Sequence, residues 1–236
     1  MRRALAVLGA VVAVLATAGC GDDESGGGRR PLTVSAAASL KGAFETYEPR
    51  NHYSFAGSDQ LAAQIRSGVR PDVYAAANTE LPQDLHRHGL VARPVVFARN
   101  RLVLAVRSGR IRSLADAARP GVKVAIGSPT VPAGKYAHKV LATQGDVGRR
   151  VLQNVRTQEP DVTGVVGKVE QGAVDAGFVY ATDALAAHLR AVSVPDADVR
   201  YAVAVVKPSA AASAFVRGLV QARGRRALTR AGFRLP

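Results

Sequence analysis

The chain has 236 residues, with 32 basic and 18 acidic side chains, a formal net charge of +14, one cysteine and no tryptophan. A single cysteine excludes an intrachain disulfide. Aromatic residues make up only 5% and the basic ones are spread along the chain, so no stacking platform for bases is visible and nucleic acid is not the expected partner. The positive charge suits an anionic ligand or an anionic membrane surface instead.

The first twenty residues read MRRALAVLGAVVAVLATAGC: two arginines, an apolar run, then small residues before Cys20. That is the layout of an export signal, and the run is too short and too close to the start for a membrane span. Ala18-Gly19 before Cys20 resembles a bacterial lipoprotein signal, with an ordinary signal peptide and an incidental cysteine as the alternative. On the first reading residues 1–19 are removed and lipidated Cys20 holds the protein on the outer face of the cell membrane. Residues 20–31 are rich in glycine and charge without apolar periodicity, the composition of a flexible tether.

From Leu32 onward strands and helices alternate. LTVSA predicts a strand, and SLKGAFETYEP a helix with Leu40, Phe44 and Tyr47 on one face, ending before Pro49. YSFAG, PDVYAAA, NRLVLAVRSG, VKVAIGSP, VDAGFVYA and YAVAVVKP predict further strands. SDQLAAQIRSG, TELPQDLHRHG, SLADAARPG, VPAGKYAHKVLATQG and DVTGVVGKVEQG predict the helices between them, and SAAASAFVRGLVQA and GRRALTRAGF close the chain as helices. In DVTGVVGKVEQG the inward positions are Val162, Val165, Val166 and Val169. The alternation predicts an α/β fold with a mostly parallel sheet.

Four strand-to-helix turns share one chemistry: SAAASL, FAGSDQL, GSPTVPAGKY and EPDVTGV. Each places small or hydroxyl residues at a helix N-terminus, where backbone N–H groups lack intrahelical partners and the dipole favours anions. Taken singly, Ser39 and Ser58 read as helix N-caps. Taken together, the junctions describe a neutral cage of donors suited to a compact, fully ionised tetrahedral oxyanion. Gly57, Ala133 and Gly134 are expected to let a ligand approach the backbone closely.

These stretches, in this order, resemble the periplasmic molybdate-binding proteins of ABC importers. The resemblance covers nearly all of the chain after the tether, from TVSAAASLKGAF to the terminal RAGFRLP. It implies the type II periplasmic-binding fold: two α/β lobes joined by crossing strands, with the ligand in the cleft. The lobes are expected at 32–106 plus 205–236 and at 107–204. It implies five ligand contacts: the hydroxyls and backbone N–H groups of Ser39 and Ser58, the backbone N–H groups of Ala133 and Val162, and the phenol of Tyr180. It further implies molybdate or tungstate as the ligand, an ABC permease as the partner, a monomer, no cofactor and no metal ion. The segment between Phe44 and Phe55 is shorter than the family's, and Asp59 stands where the family often has a hydroxyl or small residue.

Other constellations carry less. His86 and His88 point to different faces of their helix and make no metal pair. Asp72 and Asp183 read as turn-organising residues. No G-x-S-x-G elbow surrounds either serine. A Ser39-dependent hydrolase, or the same fold holding another oxyanion such as sulfate, are the competing readings.

Overall fold

The computed structural model describes residues 30–107 and 109–236. The signal, Cys20 and the tether through residue 29 lie outside the described residues.

Each strand of the first half leads into a helix. β1 (Thr33–Ala37) passes through a 3₁₀ turn (Ala38–Leu40) into α1 (Lys41–Tyr47); β2 (His52–Ala56) leads to α2 (Ser58–Arg66), and β3 (Val73–Ala76) to α3 (Glu80–Arg87). Long β4 (Val95–Val106) crosses to the second half. There α4 (Leu114–Ala117), β5 (Val124–Gly127), α5 (Pro132–Thr143), α6 (Gly145–Gln153), β6 (Val155–Glu159), α7 (Val162–Glu170), β7 (Ala176–Tyr180) and α8 (Ala181–Ala186) follow. β8 (Arg190–Val205) returns, and α9 (Ala210–Leu219) and α10 (Ala222–Arg230) end the chain.

The strands form one sheet in the order β2-β1-β3-β8-β4-β7-β5-β6. Its wings, β2-β1-β3 and β7-β5-β6, are parallel, as expected from the alternation. Its centre is not: β8 runs antiparallel to β3 and to β4, and β4 antiparallel to β7. The long β4–β8 pair joins the wings, and its register slips twice, between Val96 and Ala98 and between Arg101 and Val103. At the second slip Arg101 faces Asp198 but Val103 faces Ser193, so the stretch holding Pro195 and Asp196 (φ +49) bulges out of the ladder.

The local sequence explains most of this. β3, β5 and β7 are buried at every position, because helices cover both sheet faces. Val162, Val165 and Val169 are buried as the period predicts, while Val166 is only partly covered. The main core cluster gathers Phe44, Phe97, Tyr201, Phe215 and Phe233, whose rings meet edge to face or tilted. A smaller cluster lies under α2 and α3, built on Leu61, Ile65, Tyr74 and Leu85. Five elements differ from expectation: α6, β6, α8 and the first half of β8 have no counterpart among the predicted elements, and β4 begins before its predicted start at Asn100.

Candidate anion-binding site

The parallel wings leave the C-terminal ends of their strands facing one small cavity. Ser39 sits in the 3₁₀ turn after β1, and Ser58 is the first residue of α2, after β2. Ala133 is the second residue of α5, after β5, and Val162 the first of α7, after β6. Tyr180 is the last residue of β7. All five line the same cavity, together with Ala37, Gly57, Pro132 and Asp161 among others. The carboxyl ends of strands are where open α/β sheets hold ligands. The space open to the centre of a water-sized sphere is about 20 Å³. One water needs ~10–15 Å³ on that measure, so the cavity suits a compact ligand and not a peptide.

The donors are free for a physical reason. α2 and α5 have no side-chain cap, and their ladders begin at Leu61→Gly57 and Lys135→Val131. The N–H groups of Ser58 and Ala133 therefore have no helical acceptor. Pro132 has no N–H, which makes Ala133 the first donor of α5. Neither serine caps a helix. Ser39 lies in the 3₁₀ turn, and Gly57 holds the N-cap position before Ser58. Ser58 Oγ accepts from the Ala77 N–H at 3.1 Å, which leaves its own proton to donate. Tyr74 OH donates to the Ser58 carbonyl at 2.7 Å and secures the turn. The Tyr180 hydroxyl is buried with no hydrogen-bond partner among the described residues. Burial holds its phenol well above the ordinary range, so it keeps its proton and offers it as a donor.

The two glycines act differently from expectation. A Cβ at Gly57 would stand 2.6 Å from the Pro160 carbonyl and 3.4 Å from Val131 Cγ1. A Cβ at Gly134 would stand 2.0 Å from the Ser128 carbonyl and 2.3 Å from that of Gly127. The space that each glycine leaves is taken by protein atoms, a backbone carbonyl nearest in both cases and the Asp59 carboxylate at 2.9 Å beside Gly57, and is not kept for a ligand.

Among the described lining residues Asp161 is the one charged group. It was not singled out from the sequence, although EPDV before a helix is an N-cap signal. Its carboxylate accepts from Gly164 N at 2.9 Å, a cap that engages the charge at the helix end. Asp59 is not in the lining, but its Oδ1 is buried without a partner and does not reach solvent. Asp72 does not organise a turn: it ties the start of β3 to the start of β1, its carboxylate accepting from Thr33 N at 2.8 Å. No group of His, Cys, Asp and Glu among the described residues has a metal-holding arrangement.

Asp183, in the first turn of α8, accepts from the Tyr180 N–H at 3.1 Å. Burial pushes its carboxyl up from 3.8 to about 7, against the pull of the Tyr180 N–H and with a smaller push from Asp161. An unfolded chain releases this proton near pH 4, and the native one holds it until about pH 7. Stability therefore falls as pH rises through that window, and the loss is complete above it. The full difference corresponds to at most ~4 kcal/mol, reduced because Asp183 opens on a second cavity between α1, α8 and α10. Asp183→Asn, which keeps an acceptor for Tyr180, should flatten that slope in denaturant unfolding at pH 4.5, 6 and 8. An unchanged slope would place the titration elsewhere.

The site has no catalytic arrangement. The partner of Ser39 Oγ is the Tyr201 phenol at 2.9 Å, which burial holds well above its ordinary range. Ser58 Oγ meets a backbone amide. Neither serine touches a base that would activate it.

Uncharged donors at five strand ends, closing on a cavity between the wings of a doubly wound sheet, define a periplasmic-type solute-binding protein. The sequence profile of the bacterial extracellular solute-binding protein family matches residues 32–234, and the chain belongs to that family. It is 37% identical over 231 residues to the molybdate-binding protein ModA of Mycobacterium tuberculosis H37Rv, covering 89% of this chain and 86% of the relative. The periplasmic molybdate-binding protein of Azotobacter vinelandii superposes with a TM-score of 0.72 at 22% identity, covering 87% of this chain and 99% of that one. The sulfate-binding protein SubI of Mycobacterium tuberculosis H37Rv superposes with a TM-score of 0.76 at 20% identity, covering 87% and 86%. At those two identities the likeness is one of fold. Members of this family bind solutes outside the cytoplasm and are not enzymes, so the hydrolase reading falls. No helix among the described residues is long and apolar enough to cross a membrane.

Proposed function

We propose that this protein captures molybdate, or tungstate, in the cavity between its wings and delivers it to an ABC permease. The observation that carries the reading is the convergence of Ser39, Ser58, Ala133, Val162 and Tyr180 on one cavity with no cationic side chain in its lining. An ionised tetrahedral oxyanion offers only acceptors, and these groups offer donors. The relatives named for molybdate support the choice of anion. Sulfate is the second reading, supported by the fold shared with SubI.

The proposed lobes are 32–106 plus 205–236 and 107–204, with β4 and β8 as the crossing strands. Gly57 lies against Pro160 and Val131, a contact that closure over an anion would use. The protein acts as a monomer without a cofactor. The Ala18-Gly19-Cys20 context supports lipid anchoring at Cys20, and Cys20→Ser should release the full chain from the membrane fraction.

The test of the function is a melting series with molybdate, tungstate, sulfate, phosphate and thiosulfate. A ligand that binds only the native state adds about 2.7 kcal/mol at a free concentration of 100 times its Kd. Molybdate and tungstate should raise the Tm in that measure and chloride should not. A Tm unmoved by every oxyanion would overturn the reading; a rise with sulfate alone would select the second one.

A further inference from the structure

Behind Ser39, outside the cavity lining, lies a buried polar relay. Ser39 Oγ is 2.9 Å from the Tyr201 hydroxyl. Asn100 Nδ2 donates to Thr182 Oγ1 at 2.9 Å and lies 3.5 Å from the same Tyr201 oxygen. Tyr201 is fully buried on β8, and Asn100 is buried on the neighbouring β4, between its two register slips.

We propose that Tyr201 is a positioning residue: its phenol donates to Ser39 Oγ and so aims the serine's own proton into the anion cavity. The inference rests on reading that cavity as an oxyanion site. A hydroxyl pair can be polarised either way, and a third group decides which. Here that group is Asn100. Its Oδ1 accepts from the Arg101 N–H at 2.8 Å, which fixes the orientation of the amide. The nitrogen, not the oxygen, therefore faces the phenol. With an N–H directed at its oxygen, Tyr201 has its single proton left for Ser39. Ser39 then already accepts one bond, and its proton is left for the cavity that it lines.

The opposite polarity would present a serine lone pair to an anion, which repels it. Burial keeps the Tyr201 phenol protonated well above neutral pH, so the donor is present at neutral pH. The relay also explains why a tyrosine hydroxyl is kept deep in an otherwise apolar cluster, since a buried polar group without partners is costly. The direction of a ligand donor in the first wing is thus set by the two long strands that join the wings.

The experiment is a double-mutant cycle read by calorimetric titration with molybdate on the wild type, Tyr201→Phe, Ser39→Ala and the double variant. Phenylalanine keeps the edge-to-face contacts of this ring with Phe97, Tyr180 and Phe233, and the unliganded Tm checks that the variants fold. Loss of one orienting hydrogen bond should weaken binding about three- to tenfold in Tyr201→Phe. In the Ser39→Ala background the same change should have no further effect, because there is no serine proton left to aim. A purely structural tyrosine would weaken binding equally in both backgrounds. Multiplying losses, or a Tyr201→Phe variant that binds like wild type, would overturn the proposal while leaving the anion site intact. A wild-type protein that binds no oxyanion would overturn the functional reading itself, and this proposal with it.

Discussion

Ser39→Ala combined with Ser58→Ala should lower molybdate affinity by two to four orders of magnitude. Each substitution removes a hydroxyl donor from a desolvated anion, and a hydrogen bond to a charged group contributes about 1.5–3 kcal/mol. The serines stand after different strands and share no partner within the protein, only the anion itself, so their losses should add as long as the anion does not shift to recover contacts, to ~3–6 kcal/mol or about 10²–10⁴ in Kd. The backbone N–H groups remain, so binding is weakened and not abolished. Stability should respond unequally. Ser58→Ala leaves the buried Ala77 N–H without its acceptor, a cost of about 1–3 kcal/mol, which lowers the unliganded Tm by ~2–4 °C for each kcal/mol. Calorimetric titration and melting of the single and double variants check both parts. Wild-type affinity in the double variant would put the ligand somewhere other than this cavity.

Gly134→Ala should be more damaging than any change to a neighbouring side chain. The added Cβ would lie 2.0 Å from the Ser128 carbonyl and 2.3 Å from that of Gly127. Both obstacles are backbone atoms at the end of β5 and in the turn just after it, and neither can swing aside as a flexible side chain would. Either the N-terminus of α5 lifts away or the turn deforms. In both cases the Ala133 N–H loses its place at the cavity. Overpacking of this kind costs typically 1–3 kcal/mol and sometimes more, so a fall of about 3 kcal/mol in stability is expected, with loss of tight anion binding. Gly42→Ala is the matched control. Nothing lies within 4 Å of a Cβ there, and an exposed helical glycine replaced by alanine should stabilise by about 0.5–1 kcal/mol. Equal effects of the two substitutions in denaturant unfolding would contradict the packing described around Gly134.

The site was legible in the sequence because its donors come from local features. A small or hydroxyl residue directly after an apolar strand and before a helix marks a helix N-terminus, and the backbone N–H groups there have no helical partner whatever the rest of the chain does. The four junctions that hold Ser39, Ser58, Ala133 and Val162 stand out that way, the resemblance named the individual contacts within them, and their common cavity follows from the ends of parallel strands lying on one edge of the sheet. Tyr180 gave no such signal. It ends a buried strand like any other tyrosine, and only the family resemblance pointed to it. The chemistry that makes it a donor, a buried hydroxyl without a partner, exists only once the wings are packed.

The missed elements have equally physical causes. β6 (VRTQE) is an edge strand with no fully buried position, so it lacks the apolar run by which a central strand is recognised. The first half of β8 contains Pro195 and Asp196, residues that punctuate turns. It pairs all the same, because its partner β4 is held from the other side by β7 and the two turn-like residues are accommodated in a bulge.

Local sequence therefore determined the alternation of strands and helices, the junctions that supply anion donors, and the chemical type of ligand they suit. Those properties depend on residues close together in the chain. Tertiary structure alone decided that Gly57 and Gly134 make room for backbone, that Asp161 stands at the cavity, that Asp183 titrates near neutrality, and that Tyr201 backs Ser39. Gly134 meets the turn just before its own helix, but the rest involve atoms far apart in sequence, such as the 162 positions separating Ser39 from Tyr201, and no local pattern encodes what a side chain meets across a sheet.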